Sequence, residues 1–199
     1  MAKIPSLYLS GDPKADALLS KDPLALLIGM VLDQQVPLEK AFRGPYDLLP
    51  RLGVTKLDAA ALAGMDTDEL VAAFVRPPAL HRYPAAMARR VQDMCVVVAE
   101  EYGGRADRLW KTAGTGAELL RRVKALPGFG EQKARIFVAL LGKQLGARPE
   151  GWREAAGPYG EEASYRSVAD ITGPESLTRV RAHKQQMKAA AKAKAAAQA

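Results

Sequence analysis

Two glycines between two amphipathic patterns form an arrangement that can bind a phosphate. Residues 126–130 read Leu-Pro-Gly-Phe-Gly, with Gly128 and Gly130 on either side of Phe129. Apolar residues recur every three or four positions before and after this stretch, which predicts two helices joined by a hairpin. Glycine tolerates positive φ and has no Cβ, so the amides of the turn and of the second helix can converge on an anion. A plain αα-hairpin that binds nothing has the same pattern and is the alternative.

Two adjacent glutamines, Gln34 and Gln35, follow a wholly apolar segment. Asp22 and Pro23 predict the start of a helix that continues to Leu32, and this segment is too short to span a membrane. Amide side chains held at a rigid helix end can enter a base stack and bond the partner of an extruded base. Ordinary surface amides are the alternative.

The charge of the chain favours a polyanionic partner. The 29 basic and 22 acidic residues leave a net charge of +7, and the pI is about 9.6. Residues 184–199 contain four lysines and no acidic residue, so the rest of the chain carries +3. We expect this Lys/Ala-rich tail to be mobile or frayed, acting as a loose phosphate-binding appendage or as a solubilising end.

These segments resemble the helix-hairpin-helix DNA glycosylases of base-excision repair, the HhH-GPD superfamily, and in particular its endonuclease III-like members. Leu32-Asp33-Gln34-Gln35-Val36 is similar to the family's leucine-x-Gln-Gln segment, and residues 126–130 with Ala134 match its hairpin. Residues 83–91 resemble its small-residue helix. The likeness covers about residues 20–155 and implies a DNA N-glycosylase that flips a damaged or mispaired base out of double-stranded DNA.

The resemblance implies an all-α fold with two helical domains. Residues 20–143 would form a bundle that ends in the helix-hairpin-helix, and residues 1–19 with 144–183 would form the second domain. The tail, 184–199, would lie outside both, and the duplex would bind across the groove between the domains. The composition supports an all-α fold independently, because alanine and leucine are abundant, aromatic residues are 6%, and no segment shows sustained apolar/polar alternation in β-branched residues.

The resemblance also assigns roles at the hairpin. Many members carry a nucleophilic lysine where this chain has Gln132, and an amide cannot attack the sugar. We therefore expect a monofunctional enzyme that hydrolyses the glycosidic bond with water. Lys133, one position along, is interpreted as a phosphate contact or a solvated side chain. The expected DNA-backbone contacts are Gly128, Phe129, Gly130, Gln132 and Lys133.

A catalytic carboxylate and a base pocket complete the expected site. The family uses an aspartate eighteen residues after the lysine position, and that count reaches Glu150. A carboxylate there would stabilise the cationic sugar and orient water; an exposed surface glutamate is the alternative. Trp152, two residues later, is the expected wall of the base pocket, with core packing as its alternative. Asp33 is interpreted as a helix cap.

The cysteine count limits the cofactors. Cys95 is the only cysteine, which excludes the four-cysteine iron-sulfur cluster of many relatives and a cysteine zinc site. The apolar residues around it predict a buried, reduced thiol. We expect no cofactor and no metal, although the resemblance implies a monovalent cation at the hairpin carbonyls. The absence of a signal-peptide pattern or an apolar span leads us to expect a cytoplasmic protein.

Two other functions fit the same sequence. A non-catalytic helix-hairpin-helix protein would hold DNA without cutting any bond. A helical protein-interaction domain would show no salt-dependent affinity for DNA.

Overall fold

The structure is a computed structural model that describes the backbone of residues 6–197 and the side chains of residues 6–193. It confirms the all-α prediction, because 67% of the structure is helical and the described residues form no sheet. The α-helices are α1 Pro13–Lys21, α2 Pro23–Leu32, α3 Leu38–Leu52, α4 Ala59–Gly64, α5 Thr67–Val75, α6 Pro84–Tyr102, α7 Arg108–Lys111, α8 Gly116–Lys124, α9 Glu131–Gln144, α10 Trp152–Ala156 and α11 Pro174–Ala197. Two short 3-10 helices cover Gly157–Tyr159 and Val168–Asp170.

Helix α2 forms as the sequence predicts. The Asp22 carboxylate accepts hydrogen bonds from the amides of Leu24 and Ala25, and Pro23 takes the first helical position. All nine residues from Leu24 to Leu32 are buried, so α2 is surrounded by protein on every side. A helix fixed in this way holds whatever follows its last turn in a defined place.

The helices pack around one continuous apolar core that extends from Leu7 to Val180. Helix α2 packs on α1, α3 and α6, while α4 and α5 pack on α6. Helices α8, α9 and α10 pack on one another, and the 3-10 helix 168–170 packs on α9. A division into domains at residues 20 and 143 stays a prediction, as does a mobile tail, although the described tail residues continue α11 to Ala197. No helix in the described part of the chain is both long and apolar enough to cross a membrane.

Candidate functional site

The structure brings the two sequence motifs together at one surface groove with a volume of about 530 Å³. Its walls are the segment that follows α2, the first turns of α9, the loop around Tyr159 and one side of α11. Gln34, Gln35, Gln132 and Lys133 all line it. The two motifs are about a hundred residues apart in the chain, so only tertiary packing places them together.

Gln35 projects from the rim of this groove in a strained backbone conformation. Its φ is 55°, in the left-handed region that residues with a Cβ seldom adopt. The residue is exposed, and no described residue bonds its side-chain amide. Strain of this kind persists only where the surrounding structure imposes it, and it is concentrated at functional sites.

Gln34, in contrast, is held inside the protein. Its Nε2 donates to the Val31 carbonyl at 2.8 Å, and its Oε1 accepts from Arg90 Nη1 at 3.3 Å. Its own carbonyl is 2.8 Å from His81 Nε2. The amide of Gln34 thus fixes the loop that presents Gln35, and the expectation that Gln34 itself enters a base stack stays a prediction.

His81 fixes this loop from the opposite side. Its Nδ1 accepts a hydrogen bond from the Tyr83 amide at 3.0 Å, so the proton lies on Nε2, which donates to the Gln34 carbonyl. The imidazole is 2% exposed, and this burial lowers its pKa below the usual 6.5. A neutral, buried histidine therefore supports the backbone next to Gln35.

The hairpin leaves the amides at the start of α9 open. Gly130 precedes α9 and offers no capping side chain, and no described residue accepts a hydrogen bond from the amides of Gly130, Glu131 or Gln132. These three residues are exposed. Because α9 has fourteen residues, its N-terminal dipole adds to the positive potential there. These amides are therefore open to an acceptor, and anion binding by them stays a prediction; beside them, Glu131 forms ion pairs with Lys124 and Arg135.

The backbone and the surroundings of Gly128 both disfavour a residue with a Cβ. Its φ is 89°, and a Cβ on it would lie 2.9 Å from Cδ of Arg90. Arg90 also contacts Gln34, so one arginine packs against both the hairpin and the glutamine loop. Arg90 therefore links the position of the hairpin to that of the glutamine loop.

Phe129, an expected contact to the DNA backbone, has its side chain and its amide engaged within the protein. Its side chain is buried, with its ring centroid 5.8 Å from that of Phe137, and its amide donates to the Leu126 carbonyl at 3.1 Å. It anchors the hairpin to the core. No described backbone amide bonds the carbonyls of Pro127, Gly128 or Phe129, so the turn retains acceptors that a monovalent cation would need.

Lys133 is half-buried at the wall of the groove, and its expected role as a phosphate contact stays a prediction. Its Nζ donates to the carbonyls of Met30 and Val31, at 2.7 and 3.3 Å, at the end of α2. Burial lowers the pKa of this amine to about 8. Lys133 therefore binds the C-terminal carbonyls of α2 and joins α2 to α9.

Asp33 is the one acidic residue among those that line the groove in the described structure. It ends α2 at the centre of an inverse γ-turn, with φ −73° and ψ 70°, and the Gln34 amide donates to the Leu32 carbonyl across that turn. Its side chain is half-buried, and no described residue bonds it. Burial raises the pKa of the carboxyl, whereas Lys184 and Lys133 oppose that rise.

The aromatic side chain in the groove is Tyr159 and not Trp152. The hydroxyl of Tyr159 accepts a hydrogen bond from Nε2 of Gln132 at 2.9 Å. Trp152 is 8% exposed and packs face-on against Gly142 of α9, where a Cβ would overlap the indole ring. The structure does not bring Trp152 to this groove, and its burial against Gly142 agrees with the packing role that was its alternative.

Glu150 lies outside the groove, so the structure does not bring the expected catalytic carboxylate together with Gln35. Its carbonyl accepts the Gly116 amide at 2.7 Å at the start of α8, and its exposed side chain borders a separate cleft with Arg121 and Arg135. The hairpin lies at the other end of α8, about 13 Å away at 1.5 Å per residue.

The candidate site is defined by the geometry of this chain alone. No protein-family model, curated protein or solved structure matches this chain. Within residues 6–197 there is also no cluster of three or more histidine, cysteine, aspartate or glutamate residues that could hold a metal ion. Sequence analysis missed Arg166 and Lys184 as lining residues, and only their positive charge distinguished them beforehand.

Proposed function

We propose that this protein is a monofunctional DNA N-glycosylase that everts a base from duplex DNA into the groove beside Gln35. The observation that carries the proposal is the presentation of Gln35, which is exposed, unbonded among the described residues and left-handed at the rim. A dedicated support made by Gln34, His81 and Arg90 maintains that conformation. Such a residue suits insertion into the space that an everted nucleotide leaves.

The open amides at the start of α9 supply the backbone contact. In this proposal they bind a phosphate next to the everted nucleotide, and the α9 dipole favours that anion. Arg166 and Lys184 line the same groove and add positive charge. The base itself would stack on Tyr159, whose hydroxyl is already oriented by Gln132.

Asp33 takes the role of the carboxylate in this proposal. As the glycosidic bond breaks, the sugar gains positive charge, and a nearby carboxylate stabilises that charge and can orient or deprotonate water. The Asp33 side chain lines the groove, is half-buried and is not neutralised by an ion pair within the described structure. A half-buried charge acts through a lower effective dielectric than one in bulk water.

Hydrolysis without a covalent intermediate follows from the residues beside it. Gln132 has no nucleophilic atom, and the Lys133 amine donates to two carbonyls of α2. The product would be a free base and an intact abasic strand. Borohydride treatment of the reacting complex should therefore trap no protein–DNA adduct; an adduct that disappears in Lys133→Met would contradict the monofunctional proposal.

The decisive test is release of free base from duplexes that carry uracil, hypoxanthine, alkylated purines, oxidised guanine or mismatches. We expect Asp33→Asn to lower the single-turnover rate on the preferred duplex by about 100-fold or more, while DNA affinity changes little. Glu150→Gln is the matched control, since it removes a carboxylate from the neighbouring cleft and should leave the rate unchanged. Equal rates for wild type and Asp33→Asn would exclude Asp33 from this role.

A non-catalytic DNA-binding protein is the second candidate, and the position of Glu150 favours it. With that residue outside the groove, the carboxylate expected from the family pattern is not at the groove. This candidate predicts salt-dependent binding to duplex DNA with no base released from any member of the panel. Base release by wild-type protein excludes it.

A further inference from the structure

Helix α11 is anchored only near its start. Val180 is buried in the core, and Arg181 forms an ion pair with Glu39 of α3. From Lys184 to Ala193 every described side chain is exposed, with Met187 at 56%. A helix that projects along a groove, with most of its surface in solvent, is available for a partner.

The projecting part carries a lysine stripe, which we define as Lys184, Lys188 and Lys192. Residues four apart on a helix are separated by about 6 Å along the axis and about 40° around it, so the three lysines lie on one side. Lys184 lines the groove, which places the start of the stripe at the candidate site. The stripe then leads away from the groove for about 12 Å.

The chemistry of the stripe indicates a chain of phosphates as its partner. After Glu175 the sequence of α11 contains no acidic residue, and none of the three lysines has an ion-pair partner in the part of the chain that the structure describes. Alanines occupy most of the remaining positions around the helix, so it has no broad apolar face to insert into a lipid surface. One DNA strand carries a phosphate every 3.4 Å of axis, so 12 Å corresponds to about three or four phosphates.

We propose that the lysine stripe of α11 is a second phosphate-binding surface, which tracks one DNA strand as it leaves the groove. The inference rests on the proposed function, because it takes duplex DNA as the partner of the groove. It goes further by adding a contact with no counterpart at the hairpin. The hairpin binds phosphate through backbone amides, whereas the stripe binds through charges on long side chains and so contributes mainly affinity.

The test measures the affinity for a plain duplex of about 20 base pairs as a function of salt concentration. The slope of log Kobs against log salt is negative, and each lost phosphate contact reduces its magnitude by about 0.9. For the double variant Lys188→Gln/Lys192→Gln, we expect the magnitude of the slope to fall by about 1.8. We also expect the affinity for the duplex at 0.1 M salt to be at least about tenfold lower. These positions are distant from Asp33, and glutamine has a helix propensity close to that of lysine, so folding should be unaffected.

Two controls separate a specific stripe from net charge alone. Lys14→Gln/Lys21→Gln removes the same charge from α1, which does not line the groove, and should change the slope by less than about half as much. Lys188→Ala/Ala190→Lys keeps the net charge but moves one charge about 200° around α11. This charge-neutral variant should reduce the magnitude of the slope by about 0.9.

The outcomes also distinguish this inference from the proposed function. Wild-type slopes for both stripe variants would overturn the stripe while DNA binding by the groove remains. Absence of wild-type affinity for DNA would instead overturn the proposed function itself. Tighter binding to vesicles of anionic phospholipid than to duplex DNA, lost in Lys188→Gln/Lys192→Gln, would assign the stripe to lipid and overturn its DNA role.

Discussion

At the residue scale, two adjacent identical side chains have opposite roles. Gln34 makes hydrogen bonds through its amide group and its main-chain carbonyl, whereas Gln35 makes none within the described structure and takes a left-handed conformation. The difference arises because α2 ends at Asp33, and the γ-turn there directs one glutamine inward and the next outward. Gln34 is thus a positioning residue, and Gln35 is the residue that it positions.

The glutamine pair gives opposite predictions for stability. Gln34→Ala removes the shorter of the two side-chain hydrogen bonds to the Val31 carbonyl and leaves Arg90 without a side-chain partner among the described residues, and should lower the free energy of unfolding by about 1–3 kcal/mol. Gln35→Gly relieves the left-handed strain, so it should raise the free energy of unfolding by about 0.5–1 kcal/mol. The same variant should reduce base release. Denaturant unfolding of the two variants checks both values. A loss of stability in Gln35→Gly would show that its side chain is structural.

His81 predicts a dependence of stability on pH. Because burial lowers its pKa in the folded state, the unfolded chain binds a proton that the folded chain does not bind just below pH 6.5. The stabilisation is therefore complete above about pH 6.5, decreases as the pH falls through that value, and levels off below the folded-state pKa. Urea unfolding of wild type and His81→Gln between about pH 7 and pH 5 should show this decrease in wild type alone. Parallel curves would contradict the buried neutral imidazole.

At the element scale, the hairpin connects the open amides of α9 to the glutamine loop. Arg90 of α6 touches both Gly128 and Gln34, and Lys133 of α9 donates to the last carbonyls of α2. Phe129 fixes the same turn to the core through Phe137. These contacts make the start of α9 and the end of α2 one rigid frame, so a phosphate bound at the amides has a fixed position relative to Gln35.

Two glycines of the hairpin provide a matched pair of variants. Gly128→Ala forces a Cβ into the left-handed region and against Arg90, and should lower the free energy of unfolding by about 1–2 kcal/mol and weaken DNA binding. Gly130 has φ −78°, and no atom lies within 4 Å of the position that a Cβ would take there, so Gly130→Ala should cost less than about 0.5 kcal/mol. Thermal unfolding and DNA titration of both variants check the difference. Equal behaviour would mean that the conformation of Gly128 is not required.

The sequence was informative wherever a local pattern determines the structure. It predicted α2 with its Asp22 cap, the hairpin between α8 and α9, and the buried thiol of Cys95, whose pKa burial raises to about 12. These features depend on helical periodicity, capping and glycine conformations, all of which are properties of short segments.

The positions of the predicted site residues relative to the groove depend on packing between distant segments. Trp152 enters the core because Gly142, ten residues earlier, leaves room for its ring. Glu150 is held at the start of α8 by a backbone bond to Gly116, which no spacing within residues 132–152 reveals. Asp33 has the pattern of a cap, and only the approach of α9 and α11 makes it part of a groove wall.

At the scale of the whole molecule, the groove lies where segments from the beginning, middle and end of the chain meet. The loop after α2 contributes the projecting glutamine and the carboxylate, α9 contributes the amides, and α11 contributes the lysine stripe. All three are attached to one continuous core, so the groove can hold its shape against the force needed to unstack a base. Its lysines and arginines come from three segments, with Lys133 on α9, Arg166 in the loop before the second 3-10 helix and Lys184 on α11.

Base eversion beside Gln35 is the central claim, and the fluorescence of 2-aminopurine in a weakly paired duplex tests it most directly, because that fluorescence rises when the base leaves the stack. We expect saturating wild-type protein to raise the signal, and Gln35→Ala to bind the duplex with similar affinity but with most of the rise lost. Saturated binding of the wild-type protein with no change in fluorescence, or an equal rise with Gln35→Ala, would contradict the account.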